Sequence, residues 1–117
     1  MKIGQLRISP YDVHFSNQNI FQPDLVFIKT EKLHLIEEKG LTGAPDLVIE
    51  VLSPGTSQLD YGEKKLVYEK YGVSEYFIVD PETSSVDYFY LKKGIYEAKE
   101  SVKDKIISNI LDAEIAF

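Results

Sequence analysis

The sequence predicts an α/β (or α+β) fold: a mixed β-sheet with one main crossover helix. Two short apolar runs, Leu47–Leu52 and Glu75–Val79, have the composition of strands that are covered on both faces. The segment between them breaks at Pro54-Gly55 and then reads as a helix of about a dozen residues. Gly72 is the residue type expected just after the C-terminus of that helix. A strand, a helix and a second strand in this order predict a β–α–β unit with two parallel strands.

Further strands are predicted before this unit. Polar and apolar residues alternate beside the polar tip Ser16–Asn19, which is typical of a β-hairpin. The strand after Pro23 is expected at Leu25–Ile28. Residues 29–44 read as a surface connection with a short helical turn around Glu31–Leu35.

After the unit, the sequences SSVDYFYL and GIYEAKES predict an antiparallel hairpin around Lys92-Lys93-Gly94. Tyr88 and Tyr90 are expected on one face of that hairpin. The C-terminal tail is ambiguous, since residues 106–111 fit a helical stripe and residues 114–117 fit an edge strand.

Length, charge and composition exclude several classes of function. The 117 residues are expected to form a single domain, 1–117, and the absence of cysteine excludes disulfides, thiolate zinc sites and iron–sulfur clusters. A net charge of −6 disfavours permanent binding to DNA or anionic lipid, but allows an enzyme that meets DNA briefly through a metal ion. No apolar run approaches the ~20 residues of a membrane span, so we expect a cytoplasmic protein with no membrane partner.

One carboxylate interrupts the central apolar run. Glu50 stands between Ile49 and Val51, where a purely structural strand favours apolar residues. Period-two alternation puts Asp46 on the same face, about 13 Å from Glu50. If the strand that begins near Asp24 lies beside this one, the Asp24 and Glu50 carboxylates approach each other and favour a divalent cation, Mg²⁺ or Mn²⁺.

The predicted helix carries a lysine on its apolar face. At 100° per residue, Lys64 lies in the middle of an apolar stripe, whereas Lys65 points toward solvent. The stripe consists of Tyr61, Val67, Tyr68 and Tyr71. Lys64 is therefore aimed at the strand that carries Glu50. Two interpretations stay open at this point: a functional site, or a structural ion pair of Lys64 with Glu50 or Asp46.

Four ordered motifs resemble a known family. They are QPDLVFI at 22–28, GAPDLVIEVLSPGT at 43–56, K-x-x-x-Y-x-x-x-G-V at 64–73 and EYFIVDP at 75–81. Together they resemble the Uma-type restriction endonucleases, a domain-of-unknown-function family that is similar to the PD-(D/E)XK nuclease superfamily. The resemblance covers nearly the whole chain. It implies a restriction-endonuclease-like mixed sheet and metal-dependent hydrolysis of DNA phosphodiester bonds, with DNA as a transient substrate.

The resemblance also implies roles for individual residues. Asp24, in the PD pair, and Glu50 would hold Mg²⁺ (or Mn²⁺) together with the backbone carbonyl of Val51. Leu52 occupies the position of the motif's lysine, and Lys64 would replace that lysine in orienting or deprotonating the attacking water. The supporting residues would be Gln22, Asp46 and Tyr68.

Members of that family are generally longer and begin with a segment that forms the first core helix. The resemblance here starts after that segment, so we expect a domain without this helix, whose open sheet face favours a homodimer or another partner chain. The sequence thus leaves two hypotheses: an endonuclease, or a catalytically degenerate nuclease fold that acts as a dimerising or partner-binding module. Under the second, Asp24, Glu50 and Lys64 form only an ion-pair cluster.

Overall fold

A computed structural model describes residues 3–55 and 57–117. Within these residues the chain forms twelve β-strands, two α-helices and one 3₁₀ helix (Thr30–Leu35). In chain order, the strands and α-helices are β1 (Gly4–Ile8), β2 (Val13–His14), β3 (Ile20–Phe21), β4 (Leu25–Lys29), β5 (Ile36–Glu37), β6 (Gly40–Thr42), β7 (Leu47–Val51), α1 (Ser57–Tyr61), α2 (Glu63–Lys70), β8 (Glu75–Asp80), β9 (Ser85–Lys92), β10 (Ile95–Lys103), β11 (Lys105–Ser108) and β12 (Ala113–Ala116). No helix in this part of the chain is long and apolar enough to cross a membrane.

Six of the described strands form the main sheet, in the order β1-β4-β7-β8-β9-β10. Strands β7 and β8 pair in parallel, and the other neighbours are antiparallel. The predicted mixed sheet, the parallel β–α–β unit and the hairpin of β9 and β10 are therefore confirmed. The central position of β7 explains its apolar sequence. Neighbouring strands flank it on both sides, and other segments pack on both faces of the sheet and bury its side chains.

The crossover helix is broken, contrary to the prediction of one continuous helix. Gly62 separates α1 from α2 and has the non-helical dihedrals φ −107° and ψ −102°. Glycine lacks a Cβ and adopts such dihedrals more readily than other residues, so the break falls at this position. The predicted end of the helix is confirmed: the N–H of Gly72 donates to Glu69 O and that of Val73 to Tyr68 O, the two bonds of a Schellman motif.

The connection between β4 and β7 contains more structure than its sequence predicted. The helical turn is present as the 3₁₀ helix, but β5 and β6 also form, and they join β2 and β3 in a smaller sheet. Gly40 allows this pairing, because a Cβ there would lie 2.2 Å from the carbonyl oxygen of Asp12. That carbonyl accepts the N–H of Leu41 and so connects β6 to the segment before β2.

Two cores cover the two faces of the main sheet. Val48 points into the first core with Tyr68 of α2 and Leu41 of the smaller sheet, whereas Ile49 points into the second core with Ile106 of β11. The tail is β structure, so the helical alternative for residues 106–111 is wrong and the strand alternative near the C-terminus is confirmed.

Tyrosine hydroxyls connect the main sheet to segments that lie outside it. Four of them donate hydrogen bonds of 2.6–2.8 Å to main-chain carbonyl oxygens. The pairs are Tyr76 to Asp60, Tyr88 to Lys105, Tyr90 to Ile107 and Tyr96 to Val73. Buried phenol groups are thus satisfied while they hold neighbouring segments in place.

A buried carboxylate fastens the tail to the sheet. Glu75, at the start of β8, is 3% exposed and accepts hydrogen bonds from Ser108 Oγ at 2.7 Å and from the N–H groups of Asn109 and Ile110 at 2.8 and 3.2 Å. Charge-assisted bonds of this kind offset the cost of burying the carboxylate.

We expect Glu75→Ala to lower the free energy of unfolding by about 2–4 kcal/mol, because three donors lose their common acceptor. Denaturant unfolding followed by circular dichroism measures the change. Glu114→Ala is the control, since Glu114 is an exposed residue of β12, in the tail that Glu75 anchors, and pairs with Lys105 at 3.5 Å. Equal effects of the two variants would contradict the anchoring role of Glu75.

Candidate active site

The pairing of β4 with β7 brings two predicted site residues together. Leu25 lies opposite Ile49 in this antiparallel pair, so Asp24, just before β4, lies beside Glu50. A cavity of about 130 Å³ opens at this point. It is lined by Gln22, Asp24, Glu50, Val51, Ser53, Asp60 and Lys64.

Asp24 and Glu50 are each hydrogen-bonded to the strand of the other. The N–H of Asp24 donates to Glu50 Oε1 at 3.4 Å, and the N–H of Val51 donates to Asp24 Oδ2 at 2.7 Å. Glu50 is 2% exposed, whereas Asp24 is half-buried at the cavity. Main-chain donors therefore fix the position of both carboxylates.

Helix α2 supplies the partners of the second Glu50 oxygen. The hydroxyl of Tyr68 donates to Glu50 Oε2 at 2.7 Å, and Lys64 Nζ lies 3.3 Å from the same atom. Lys64 and Tyr68 are four residues apart and share one face of the helix. Lys64 therefore points inward, as the helical pattern predicted. Its partner on β7 is Glu50.

Burial and charge act in opposite directions on this pair. Burial raises the pKa of Glu50, although the hydrogen bond from Tyr68 and the charge of Lys64 act to lower it. For Lys64, burial acts to lower the pKa, but the charges of Glu50 and Asp60 outweigh it and the pKa is raised. Burial and the neighbouring Glu50 also raise the pKa of Tyr68, so its hydroxyl remains a hydrogen-bond donor.

Asp60 is a site residue that was not predicted from the sequence. It is 2% exposed, lines the cavity and lies 3.3 Å from Lys64 Nζ through Oδ1. Helix α1 holds it in place, because the hydroxyl of Tyr76 donates to the Asp60 carbonyl oxygen at 2.8 Å and that of Tyr61 donates to Asp87. The i, i+4 spacing of Asp60 and Lys64 was the available signal.

The other two predicted supporting residues lie differently. Gln22 lines the cavity, but its amide donates to Asp12 Oδ1 at 2.7 Å. The structure does not bring Asp46 to the cavity, because three residues of extended strand stand between it and Glu50. Its carboxylate accepts the N–H of Lys29 at 2.7 Å and pairs with Lys32 at 3.3 Å.

The donor set of the cavity fits a hard divalent cation. Mg²⁺ is commonly held by one or two carboxylates and keeps several waters, and Asp24 and Glu50 offer such oxygens side by side. No group of three or more His, Cys, Asp or Glu side chains in the described ranges is arranged to hold a metal ion. An ion here would therefore use these two carboxylates, main-chain oxygen such as that of Val51, and water. Three carboxylates and one ammonium line the cavity, so its charge also favours a cation.

The fold is that of a restriction-endonuclease-like domain. The sequence model of the protein family described as "Uma2: Putative restriction endonuclease" matches residues 1–116, and the chain belongs to this family. The predicted resemblance is thus confirmed.

A similar fold occurs in a crystal structure described as a "putative nuclease belonging to DUF820" from Anabaena variabilis, with a TM-score of 0.66 and 23% sequence identity. The match covers 82% of this chain and 54% of the other, so this chain spans about half the length of that protein. No curated protein matches the chain.

The raised pKa of Glu50 predicts a pH-dependent effect of Glu50→Gln. The folded chain retains the Glu50 proton at pH values where the unfolded chain has released it, so the stability due to this group is present below pH 4.5 and is lost as the pH rises through the folded pKa. The stability of Glu50→Gln relative to the native chain should therefore increase as the pH rises from 4.5 toward neutrality. Denaturant unfolding in chelator at several pH values measures it.

Glu97→Gln is the control for this experiment. Its hydrogen bond with Lys99 and the charge of Lys92 lower the pKa of Glu97, so the stability due to Glu97 is lost as the pH falls below 4.5. This variant should show the opposite trend, confined to lower pH. If the difference in the free energy of unfolding between Glu50→Gln and the native chain did not depend on pH, the raised pKa of Glu50 would be contradicted.

Proposed function

We propose that residues 1–117 form a single domain that acts as a metal-dependent endonuclease and hydrolyses DNA phosphodiester bonds at the cavity. The observation that carries this proposal is the convergence on one cavity of Asp24, just before β4, Glu50 of β7 and Lys64 of α2. Membership of a family described as restriction endonucleases supports DNA as the substrate.

Asp24, Glu50 and the carbonyl of Val51 would hold Mg²⁺ or Mn²⁺. The bound ion supplies Lewis-acid stabilisation of the charge that develops on the phosphate. Because three carboxylates and only one ammonium line the cavity, a divalent ion would cancel its negative charge and so reduce the repulsion of a phosphate.

The remaining residues orient the reacting groups. Lys64, as an ammonium, donates hydrogen bonds that hold the attacking water and stabilise negative charge on the phosphate. Tyr68 keeps Glu50 in position through its 2.7 Å hydrogen bond. Gln22, which lines the cavity, would contact a phosphate oxygen of the bound strand in exchange for its hydrogen bond to Asp12.

We expect Glu50→Gln to abolish Mg²⁺-dependent cleavage, because it removes a ligand of the metal ion. Lys64→Gln should slow cleavage by about 10²–10⁴-fold, because it removes the ammonium that stabilises the reacting phosphate. Nicking of supercoiled plasmid and cleavage of short duplexes measure the rates.

Lys65→Gln is the matched control on the same helix. Its ammonium lies over the ring of Phe89, 4.5 Å from the ring centroid, and should have no effect on the rate. A calorimetric Mn²⁺ titration should in addition show one saturable site that Glu50→Gln removes. Cleavage by Glu50→Gln at the native rate would refute the nuclease assignment.

A second candidate function is a catalytically degenerate nuclease fold that forms a homodimer or binds another partner. The observation that favours it is the apolar edge of the main sheet: Leu6 and Ile8 of β1 are 53% and 70% exposed. An edge strand with exposed apolar side chains is a template for pairing with another chain.

If this edge pairs two copies, light scattering should give twice the 13.4 kDa mass of the chain, and Leu6→Lys should shift it to the monomer. A native monomer at high concentration would argue against dimerisation. A folded native chain that binds no Mn²⁺ would favour the degenerate module over the enzyme.

A further inference from the structure

We propose that Asp60 is a positioning residue that holds Lys64 on the Oε2 side of Glu50 and so keeps Glu50 Oε1 and Asp24 open to a divalent cation. The inference rests on the proposed function, because it concerns the same cavity. It assigns to Asp60 a role in cation affinity that is separate from the roles of the groups that would touch the ion.

The two contacts of Lys64 define this role. Its Nζ lies 3.3 Å from Glu50 Oε2 and 3.3 Å from Asp60 Oδ1. Glu50 Oε2 is the oxygen that also accepts the Tyr68 hydroxyl, whereas Oε1 is the oxygen next to the N–H of Asp24. Lys64 therefore meets Glu50 at Oε2 and leaves Oε1 and Asp24 together.

Asp60 is fixed more firmly than the lysine it binds. Its carbonyl oxygen accepts the buried Tyr76 hydroxyl, and Tyr61, the next residue, is tied to Asp87 of β9. The Lys64 side chain is longer, has four rotatable bonds and is 19% exposed. The position of the ammonium therefore depends on the carboxylates that attract it.

Without the charge of Asp60, the remaining carboxylates of the cavity are Glu50 and Asp24. An ammonium drawn between them would neutralise the charge that attracts a divalent cation and would occupy the same space. Lys64 would then act as a built-in competitor of the metal ion. Asp60 prevents this competition by providing a second, fixed counter-ion on α1.

A double-mutant cycle on Mn²⁺ binding tests the proposal without DNA or catalysis. Calorimetry compares the full native chain with Asp60→Asn, Lys64→Met and the double variant. We expect Asp60→Asn to weaken Mn²⁺ binding about tenfold in the native background and less than about twofold in the Lys64→Met background, a coupling in the range found for one charge network. Glu114→Gln, which removes a distant carboxylate from an ion pair with Lys105, should leave the affinity unchanged.

The alternative outcomes overturn the proposal in distinguishable ways. Equal weakening in both backgrounds would mean that Asp60 acts only through structure or long-range charge, and unchanged or tighter binding by Asp60→Asn would exclude any such role. If Asp60→Asn does not fold, Lys64→Met decides alone: it should bind Mn²⁺ at least as tightly as the native chain, and weaker binding would overturn the proposal. If the native chain binds no Mn²⁺, the metal centre of the proposed function fails together with this inference.

Discussion

The burial of one carboxylate in the central strand is the constraint on which much of this structure depends. A carboxylate removed from water costs several kcal/mol unless it is paired and hydrogen-bonded. Glu50 meets this requirement with three donors from two other elements: the N–H of Asp24 before β4, and the Tyr68 hydroxyl and Lys64 ammonium of α2. The order of strands in the sheet and the placement of the helix are what bring these donors to Glu50.

The smaller sheet and the turn that follows β2 contribute to the same site by packing against Tyr68. Phe15 and Phe21 pack against the ring of Tyr68, with centroid distances of 5.4 and 6.0 Å, and Tyr76 packs against it from the main sheet at 4.9 Å. This aromatic cluster fixes the hydroxyl that binds Glu50 and keeps water away from it. A low dielectric constant strengthens each interaction of the buried charges, so the packing of the first core and the chemistry of the cavity are linked.

Much of this arrangement could be predicted from the sequence, because it rests on strong local signals. Glu50 was recognised because it interrupts an apolar strand, and Lys64 because it interrupts an apolar helix face. What could not be predicted depends on contacts between distant segments: β5 and β6 form because Gly40 allows the carbonyl of Asp12 to approach. Asp60 was missed although its i, i+4 spacing from Lys64 puts it on the same helix face, because an acidic residue in the first turn of a predicted helix is equally typical of a helix N-terminus with no part in a site.

The tyrosine hydroxyls that join the main sheet to its surroundings have a consequence for the conditions under which the fold persists. A chain with no cysteine has no covalent cross-link, and here four phenol groups connect segments that are distant in sequence. Such connections are indifferent to the redox potential of the surroundings, unlike disulfides, and require only that the phenol keeps its proton. Burial ensures this over a wide range, since it raises the pKa of Tyr90 to about 12 and also raises the pKa values of Tyr76, Tyr88 and Tyr96. The same tertiary connections are thus available in a reducing and in an oxidising compartment.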